Sequence, residues 1–379
     1  MIIGSIDNKE VDSSNLILDT VDNFQLDEVV SNALLLTLAG YLEKDDITVN
    51  GKQYFDKKRL EQFFSYVLND KRAAPRKYNL QLSFSNKNHE VNSAKKNNYK
   101  YIISYSGGID STAGLLYALD KGYPIQPVWV GFGQKNEKDE LEVINKICKK
   151  LKTRPIVINI NLKRYVDEGW NRWKMGIIPG RNYIFASIAA SMVNLSSSDK
   201  NTIYICAHKE EINPVNTDKS ERFYNTCTKI FTKSYNKDIE LTTPFFNATK
   251  PEIIYYWIKH WKQKYNISPQ ETVSCYHGTN CGICKACINR AVAFACCGLQ
   301  TESYKNDPFK DTEHVIQEGY IDRFNILKLE RKLDFLFALN FNKNSLPTNL
   351  RNFVDTNYKR YSNKIIDRQK MIREGLNIK

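Results

Sequence analysis

The sequence predicts an α/β fold, built on a doubly wound parallel sheet with a four-cysteine motif and helical additions at both ends. Three observations lead to this prediction. Short apolar segments alternate with helix-like ones from Tyr101 onward, two adjacent glycines follow the first of these segments, and four cysteines cluster near residue 280. Strands separated by helices are typical of a parallel sheet covered on both faces. A chain of 379 residues accommodates such a domain and further segments.

The central region, residues 98–299, carries the alternating pattern. Strands are predicted at 101–105, 125–130, 156–160 and 203–206, and helices at 110–119, 138–151 and 183–195. Ligands of such sheets bind beyond the carboxyl ends of the strands, where the glycine pair at 107–108 lies.

The flanking regions differ from the centre. Residues 1–97 are predicted to form an α+β extension with a buried helix within 26–42, a helix near 56–69, a strand at 78–84 and a polar linker at 85–98. Residues 300–379 are predicted to form a helical extension. Its apolar stripe consists of Ile326, Leu329, Leu333, Leu336 and Phe337.

Composition limits the class of protein. No segment reaches the roughly 18 consecutive apolar residues of a membrane span, and the first residues do not form a secretory signal. We therefore expect a cytoplasmic protein whose nine cysteines are ligands or buried thiols. The net charge of +13 permits binding to nucleic acid, but the basic residues are dispersed along the chain and do not favour it.

The glycine segment has the features of a phosphate-binding loop. Adjacent glycines permit a close backbone approach, and the N–H groups at the start of the next helix attract anions. Ser106 and Ser111 add hydroxyl donors beside Gly107 and Gly108, and Asp110 is suited to a metal ion or to orienting the loop. The string SGGIDS resembles the pyrophosphate loop (PP-loop) of ATP pyrophosphatases, which cleave ATP to AMP and pyrophosphate.

The cysteine motif predicts a metal site. Cys275, Cys281, Cys284 and Cys287 follow the spacing C-x5-C-x2-C-x2-C. Four thiolates can surround one tetrahedral zinc ion, and such closed sites are structural. An iron–sulfur cluster is the chemical alternative.

Four separated motifs together resemble one family. They are SGGIDST at 106–112, GFGQ at 131–134, PGRN at 179–182, and SCYHG at 274–278 leading into CGICKACINR at 281–290. The chain thus resembles QueC, the 7-cyano-7-deazaguanine synthase family of the adenine-nucleotide α-hydrolase (HUP-like) superfamily. Lys250-Pro251-Glu252 is similar to the Lys-x-Glu element of that family.

The resemblance implies a reaction and its cofactors. The family activates the carboxylate of 7-carboxy-7-deazaguanine with ATP and Mg²⁺, and ammonia attacks the acyl-adenylate to give an amide. A second adenylation and loss of water then give the nitrile. Structural Zn²⁺ is implied at the four cysteines.

The resemblance also implies site residues. Catalysis is expected from Asp110, Ser111 and Arg181. ATP binding is expected from Ser104, Ser106, Gly107, Gly108, Asp110, Ser111, Thr112, Gly133, Gln134 and Arg181. Binding of the deazaguanine is expected from Arg181, Asn182, Glu210, Glu211 and Asp218. Asn182 has an alternative role as the cap of the helix that it precedes. His208 is a candidate acid–base group. Arg290 is expected to brace the zinc turn.

Two departures from the family affect the acceptor of the activated group. Residues 207–218 lack the Tyr-Pro pair of the family, and Ala207 replaces a glycine, although Asp218 is a substitute for the last Asp. The chain also carries segments on both sides of the core. QueC-like proteins with such additions occur in anti-phage operons of the Qat and type IV CBASS kinds. This architecture favours an acceptor amine on a partner protein from the same operon.

Other functions stay open at this stage. Ammonia as the acceptor would make the chain an ordinary synthase of the deazaguanine nitrile. A PP-loop enzyme that modifies tRNA, and a zinc-stabilised interaction subunit without catalysis, are the further alternatives. A homodimer is compatible with each of them.

Overall fold

A computed structural model describes most of the central region and the N-terminal region in pieces. The residues described are 2–6, 9–12, 17–20, 29–31, 33–35, 46–51, 57–68, 79–84, 97–134, 136–160, 180–212, 218–275, 277–278, 280–299, 304–310, 315 and 320–376.

The strands and helices of the described residues follow in chain order. The strands are β1 (Ile2–Ile6), β2 (Lys9–Asp12), β3 (Ile17–Thr20), β4 (Asp46–Gly51), β5 (Asn79–Phe84), β6 (Tyr101–Ser104), β7 (Ile125–Gly131), β8 (Ile156–Ile160), β9 (Lys200–Tyr204) and β10 (Asp238–Thr242). The main helices are α1 (Lys57–Leu68), α2 (Ile109–Asp120), α3 (Glu137–Leu151), α4 (Arg181–Ser191), α5 (Glu221–Tyr235), α6 (Lys250–Tyr256), α7 (Lys285–Cys296), α8 (Leu329–Phe341) and α9 (Thr348–Glu374).

The central sheet has the strand order β10-β9-β6-β7-β8-β3. Its five strands from β10 to β8 are parallel, and β3 pairs antiparallel with β8. The chain extends the sheet from β6 through β7 to β8 on one side, and through β9 to β10 on the other. This reversal opens a crevice at the carboxyl ends of β6 and β9, which is where ligands of open α/β sheets bind.

Helices cover both faces of this sheet, because successive side chains of its strands point to opposite sides. Ile102 packs in a cluster with residues of α4 and α5. Its neighbour Ile103 packs in another cluster with residues of α2, α3 and α6. The doubly wound parallel sheet predicted from the sequence is therefore confirmed.

The predicted elements of the core agree with the structure except near β9 and β10. The strand predicted at 203–206 begins earlier, at Lys200, and ends at Tyr204. The sequence did not predict β10 or α5. In β10 only Ile239 and Leu241 are buried, because it is the edge strand, and its polar alternation gives a weak signal.

The N-terminal region adds a second sheet with the order β2-β1-β4-β5. The predicted strand at 78–84 and helix at 56–69 correspond to β5 and α1. Residues 29–31 and 33–35 are helical and buried, in agreement with the helix predicted there. Of the predicted linker, residues 85–96 lie outside the described residues. Phe63 of α1 joins the core by ring contacts with Tyr183 and Phe223.

The C-terminal helix α8 packs on α7 and on α9, and all three contribute to a separate apolar cluster. Leu333 and Leu336 of the predicted stripe are buried there. The prediction is wrong for the first two residues of the stripe, since Ile326 is 80% exposed and Leu329 is 48% exposed. Ile326 lies in a short 3-10 turn before α8, so it does not continue the helical face of that helix.

Among the helices that the structure describes, none combines the length and apolar character needed to cross a membrane.

Candidate active site

The glycine loop lies between β6 and α2, at the carboxyl edge of the sheet. Gly107 has φ +68°, a left-handed conformation that favours glycine, and Gly108 is the N-cap of α2. The hydroxyls of Ser106 and Ser111 lie 3.2 Å apart, and the Ser111 Oγ donates to the Gly108 carbonyl at 3.3 Å. These hydrogen bonds join the two ends of the loop, and α2 begins within it.

Two other segments hold this loop in place. The Val273 N–H donates to the Gly107 carbonyl at 3.1 Å. On the other side, a Cβ at Gly107 would lie 3.2 Å from Ile144 Cγ1 and 3.3 Å from Val143 Cγ1, both in α3. A residue with a Cβ at position 107 would therefore press on these two side chains as well as strain the turn.

Lys250 reaches the loop from the first residue of α6. Its Nζ donates to Asp110 Oδ2 at 3.0 Å. Burial alone would lower the pKa of Lys250, but the charges of Asp110 and Glu211 outweigh it and raise the pKa above its ordinary value. The other carboxylate oxygen, Asp110 Oδ1, is buried and has no hydrogen-bond partner in the part of the chain that the structure describes.

The loop after β9 brings further titratable groups to the same place. One ligand atom each of Asp110, His208 and Glu211 lies within 4.8 Å of the others. His208 is buried, and its Nδ1 lies 3.5 Å from Glu210 Oε2. Glu210 Oε2 also accepts the backbone N–H of Lys250 at 3.3 Å. Glu210, Glu211 and His208 are expected site residues from the sequence, but no local pattern indicates which of them approaches Asp110.

Glu211 is ionised by its neighbours. Its carboxylate lies 2.9 Å from Lys219 Nζ and 3.9 Å from His208 Nε2. Burial acts to raise the pKa of Glu211, but the neighbouring Lys219, His208 and Lys250 hold it well below its usual range. A fixed negative charge therefore lies beside the glycine loop.

The loop after β7 forms a hydrogen-bonded unit around Glu140. Gln134 Nε2 donates to Glu140 Oε2 at 3.1 Å, while Gln134 Oε1 accepts the Phe132 N–H at 2.7 Å. Trp129 Nε1 also donates to Glu140, at 3.0 Å. Burial raises the pKa of Glu140 above its ordinary value, although these hydrogen bonds and the positive charge of Arg181 act to lower it. Gly133 is exposed at the tip of this turn, with φ +77°.

Arg181 and Asn182 open α4 after Gly180, whose φ is +68°. Arg181 Nε is buried and lacks a hydrogen-bond partner among the described residues, and its guanidinium lies 5.9 Å from the ring of Phe185. The alternative role of Asn182 as a helix cap is wrong. The helix begins at Arg181 with Gly180 as its N-cap, so Asn182 lies within the first turn. Asn182 Nδ2 instead donates to the Asp218 carbonyl at 3.2 Å.

Two residues expected at the ATP site lie behind the loop. Ser104 is half-buried at the end of β6, and Thr112 is buried within α2. The Thr112 Oγ1 donates to the Tyr105 hydroxyl at 3.4 Å. Pro179 of the PGRN motif and residues 213–217 lie outside the described residues.

The four cysteines form one cluster, as their spacing predicts. One Sγ from each of Cys275, Cys281, Cys284 and Cys287 lies within 4.8 Å of the others. The Cys275 Sγ accepts backbone N–H groups from His277 at 3.4 Å and Cys281 at 3.3 Å. Hydrogen bonds from Cys284 and Cys287 lower the pKa of Cys275 most, with help from these amides. Such a set of thiolates fits a tetrahedral zinc ion.

Arg290 joins this cluster to the glycine loop. Its Nη1 donates to Thr272 Oγ1 at 2.7 Å and Ser274 Oγ at 3.2 Å, and its Nη2 donates to the carbonyls of Pro269 and Gln270, both at 3.1 Å. Since Val273 lies between two of these partners, the expected bracing role of Arg290 extends to the glycine loop.

Comparison with known proteins supports this interpretation of the site. The family model described as "Queuosine biosynthesis protein QueC" matches residues 100–298. A 7-cyano-7-deazaguanine synthase of Nautilia profundicola is 29% identical over 53% of this chain and 96% of its own length. Synthases of the same name from Archaeoglobus fulgidus and Methanocaldococcus jannaschii are 26% and 25% identical, over 58% and 54% of this chain and 95% and 98% of their own lengths.

The family match ends at residue 298, so α8 and α9 lie outside it. It includes the glycine loop, Lys250 and all four cysteines of the cluster. Because the matched segment is more than half of the 379 residues, the chain belongs to the QueC family.

Proposed function

We propose that this protein uses ATP to adenylate the carboxylate of 7-carboxy-7-deazaguanine or a close analogue, with release of pyrophosphate. The observation that carries the proposal is the Lys250–Asp110 pair at 3.0 Å, which places an ammonium group beside the glycine loop. Phosphate charge that develops during pyrophosphate release is stabilised by such preorganised donors. The names of the relatives support the deazaguanine substrate.

The residues of the loop have distinct proposed roles. Ser106, Gly107, Gly108 and Ser111 would bind the pyrophosphate part of ATP at the N-terminus of α2, with Ser104, Thr112, Gly133 and Gln134 shaping the site around them. Arg181 would meet a phosphate or the substrate carboxylate, because its guanidinium can bind either one through two parallel hydrogen bonds. Its buried Nε, which lacks a hydrogen-bond partner among the described residues, supports this role.

Asp110 fits a magnesium site. Its Oδ1 is buried without a hydrogen-bond partner among the described residues, and a carboxylate oxygen is a ligand that Mg²⁺ prefers. When bound, Mg²⁺ would neutralise phosphate charge. Lys250 would hold Asp110 in orientation through its other oxygen.

The loop after β9 would recognise the deazaguanine. A carboxylate can accept both the ring N–H and the exocyclic amine of a guanine-like base, and Glu210, Glu211 and Asp218 are the acidic residues proposed for this contact. Asn182 donates to the Asp218 carbonyl, which supports a common site for the two. His208 lies among the same groups and is a proposed proton acceptor.

The acceptor of the activated group is proposed to be an amine of a partner protein in anti-phage defence. The amine nitrogen forms a bond to the carbonyl carbon, the bond from that carbon to the AMP oxygen breaks, and the nitrogen loses a proton. The products are an amide and AMP. The changed sequence at 207–218 and the segments flanking 98–299 support this acceptor over ammonia. The 1–97 and 300–379 segments would then be extensions that pack on the catalytic region, with β3 of the first segment joining the central sheet, and the zinc would be structural.

The test uses purified protein, ATP and 7-carboxy-7-deazaguanine. Substrate-dependent pyrophosphate release is expected from the wild type and not from Asp110→Asn. Asp120→Asn, on the same helix, is the matched control and should retain activity. No substrate-dependent release by the wild type would overturn the proposal.

The acceptor is tested by mass spectrometry of proteins from the same operon after co-expression. A mass increase equal to the deazaguanine acyl group supports the partner amine. Free nitrile with ammonia, and no modified partner, would assign the ordinary synthase reaction.

A further inference from the structure

The C-terminal helices α8 and α9 share a buried ion pair. Arg368 of α9 donates through Nε to Asp334 Oδ1 and through Nη2 to Asp334 Oδ2, both at 2.9 Å. Each of the two residues is 2% exposed. The parallel pair of hydrogen bonds fixes the guanidinium plane, so the remaining donors of Arg368 point in a defined direction.

Those donors reach the beginning of α6 in the catalytic region. Arg368 Nη2 donates to Thr249 Oγ1 at 2.6 Å, and Nη1 donates to the Glu252 carboxylate. Thr249 and Glu252 form the capping box of α6, in which Glu252 Oε2 accepts the Thr249 N–H at 2.9 Å. The helix that they cap begins at Lys250, so Arg368 fixes the point from which the Lys250 side chain extends.

The residues before α8 hold the loop after β9. Lys328 Nζ donates to the carbonyls of Lys209 at 3.4 Å and Ile212 at 3.2 Å. Lys209 Nζ in turn lies 2.8 Å from Glu330 Oε1. Glu210 and Glu211 lie between these two carbonyls, and His208 directly precedes Lys209. The C-terminal segment therefore contacts both sides of the site, and both sets of contacts meet where Glu210 accepts the Lys250 N–H.

We propose that Arg368 is a positioning residue of the active site, which acts by orienting Lys250 against Asp110 and the phosphates of ATP. The proposal rests on the proposed function. A lysine has a flexible four-carbon stem, and fixing its starting point reduces the number of positions that its ammonium group samples. Arg368 lies outside the family match, which ends at residue 298, whereas Lys250 and Glu252 lie within it. The C-terminal helices thus complete a site that the family core begins.

The test is a double-mutant cycle on pyrophosphate release. Arg368→Met should lower kcat by about 10-fold, whereas in a Lys250→Met background the same change should alter kcat by less than about 2-fold. Such non-additivity shows that Arg368 acts through Lys250. Equal losses in the two backgrounds would overturn the proposal.

A matched control separates positioning from stability. Val354→Ala removes a buried methyl pair from the same C-terminal cluster, and Val354 is 0% exposed. It should lower the melting temperature while kcat below the transition stays within about 2-fold of the wild type. If Val354→Ala and Arg368→Met reduce kcat equally at temperatures where both are folded, the proposal is wrong.

ATP binding provides a readout that does not depend on the deazaguanine. Titration with ATP alone should show about 5-fold weaker binding for Arg368→Met than for the wild type, and no further loss when it is added to Lys250→Met. If the wild type releases no pyrophosphate with the deazaguanine but this pattern holds, the proposed function fails and the positioning role stands. Unchanged ATP affinity in Arg368→Met would overturn the positioning role itself.

Discussion

Lys250 Nζ and Asp110 Oδ2 lie 3.0 Å apart, although 140 positions separate the two residues in the chain. The contact joins the first turn of α2 to the first turn of α6. It raises the pKa of Lys250 against the effect of burial. The ammonium group is therefore charged at neutral pH.

This pair predicts how ATP binding depends on pH. A raised lysine pKa means that the favourable charge is fully present below the ordinary lysine value, about 10.4, and is lost only as the pH rises through the higher folded value. We expect ATP affinity of the wild type to stay constant from about pH 7 to about pH 10. In Asp110→Asn, burial is no longer offset by this carboxylate, and affinity should begin to fall at a lower pH. Identical alkaline limbs in titrations of the two proteins would contradict the assignment.

Gly107 predicts a difference between two glycines with the same backbone conformation. Gly107 has φ +68° and Gly122 has φ +71°, so alanine at either position costs about 1–2 kcal/mol of stability. A Cβ at Gly122 meets nothing within 4 Å, whereas one at Gly107 lies 3.2 Å from Ile144. Gly107→Ala should therefore lose ATP-dependent activity, while Gly122→Ala should retain it. The measurements are thermal unfolding and pyrophosphate release, and equal activity of the two variants would show that the loop tolerates a side chain.

The glycine loop and its flanking elements could be predicted from the sequence, because each of them is determined locally. A strand of apolar residues, a glycine pair and a helix follow one another within residues 101–120. The four cysteines likewise lie within thirteen positions, and a metal site is encoded by their spacing. In both cases the residues that act together are near neighbours in the chain.

The remainder of the site depends on contacts between distant segments. His208, Glu211 and Lys250 approach Asp110 only because β9 and β10 lie on the same side of β6 in the sheet. The order of strands in a sheet is not encoded in the periodicity of any one strand, so the resemblance to the family, and no pattern in the residues themselves, indicated that Asp110 and Glu211 share a site. The contact of Arg368 with Glu252 joins two helices that are far apart in the chain, and no local pattern encodes it.

The cysteine cluster predicts one zinc ion per chain. Metal analysis of the purified protein should find zinc in a ratio of about one to one, and Cys284→Ser should lose the metal and unfold at a lower temperature. Cys148→Ser is the matched control, because Cys148 is a buried cysteine outside the cluster. It should keep the full zinc content. Iron and acid-labile sulfide in place of zinc would assign a cluster to the same ligands.

Arg290 lies between the cysteine cluster and the glycine loop, and of the residues there we expect its substitution to lower the stability of the protein most. It is 4% exposed, and four of its hydrogen bonds hold the segment from Pro269 to Ser274. Arg290→Met removes the charge and leaves those acceptors without the guanidinium, so we expect a loss of about 3 kcal/mol in the free energy of unfolding.

The same substitution should reach the active site, because the Val273 N–H donates to the Gly107 carbonyl from within that segment. ATP affinity should therefore fall in Arg290→Met under conditions where the protein is still folded. Lys343→Met is the control. It removes a cation from an exposed pair with Asp355, and such pairs contribute at most about 1 kcal/mol. Chemical denaturation measures the change in stability, and ATP titration measures the change in affinity. A loss of stability without any change in ATP affinity would show that the segment from Pro269 to Ser274 does not position the glycine loop.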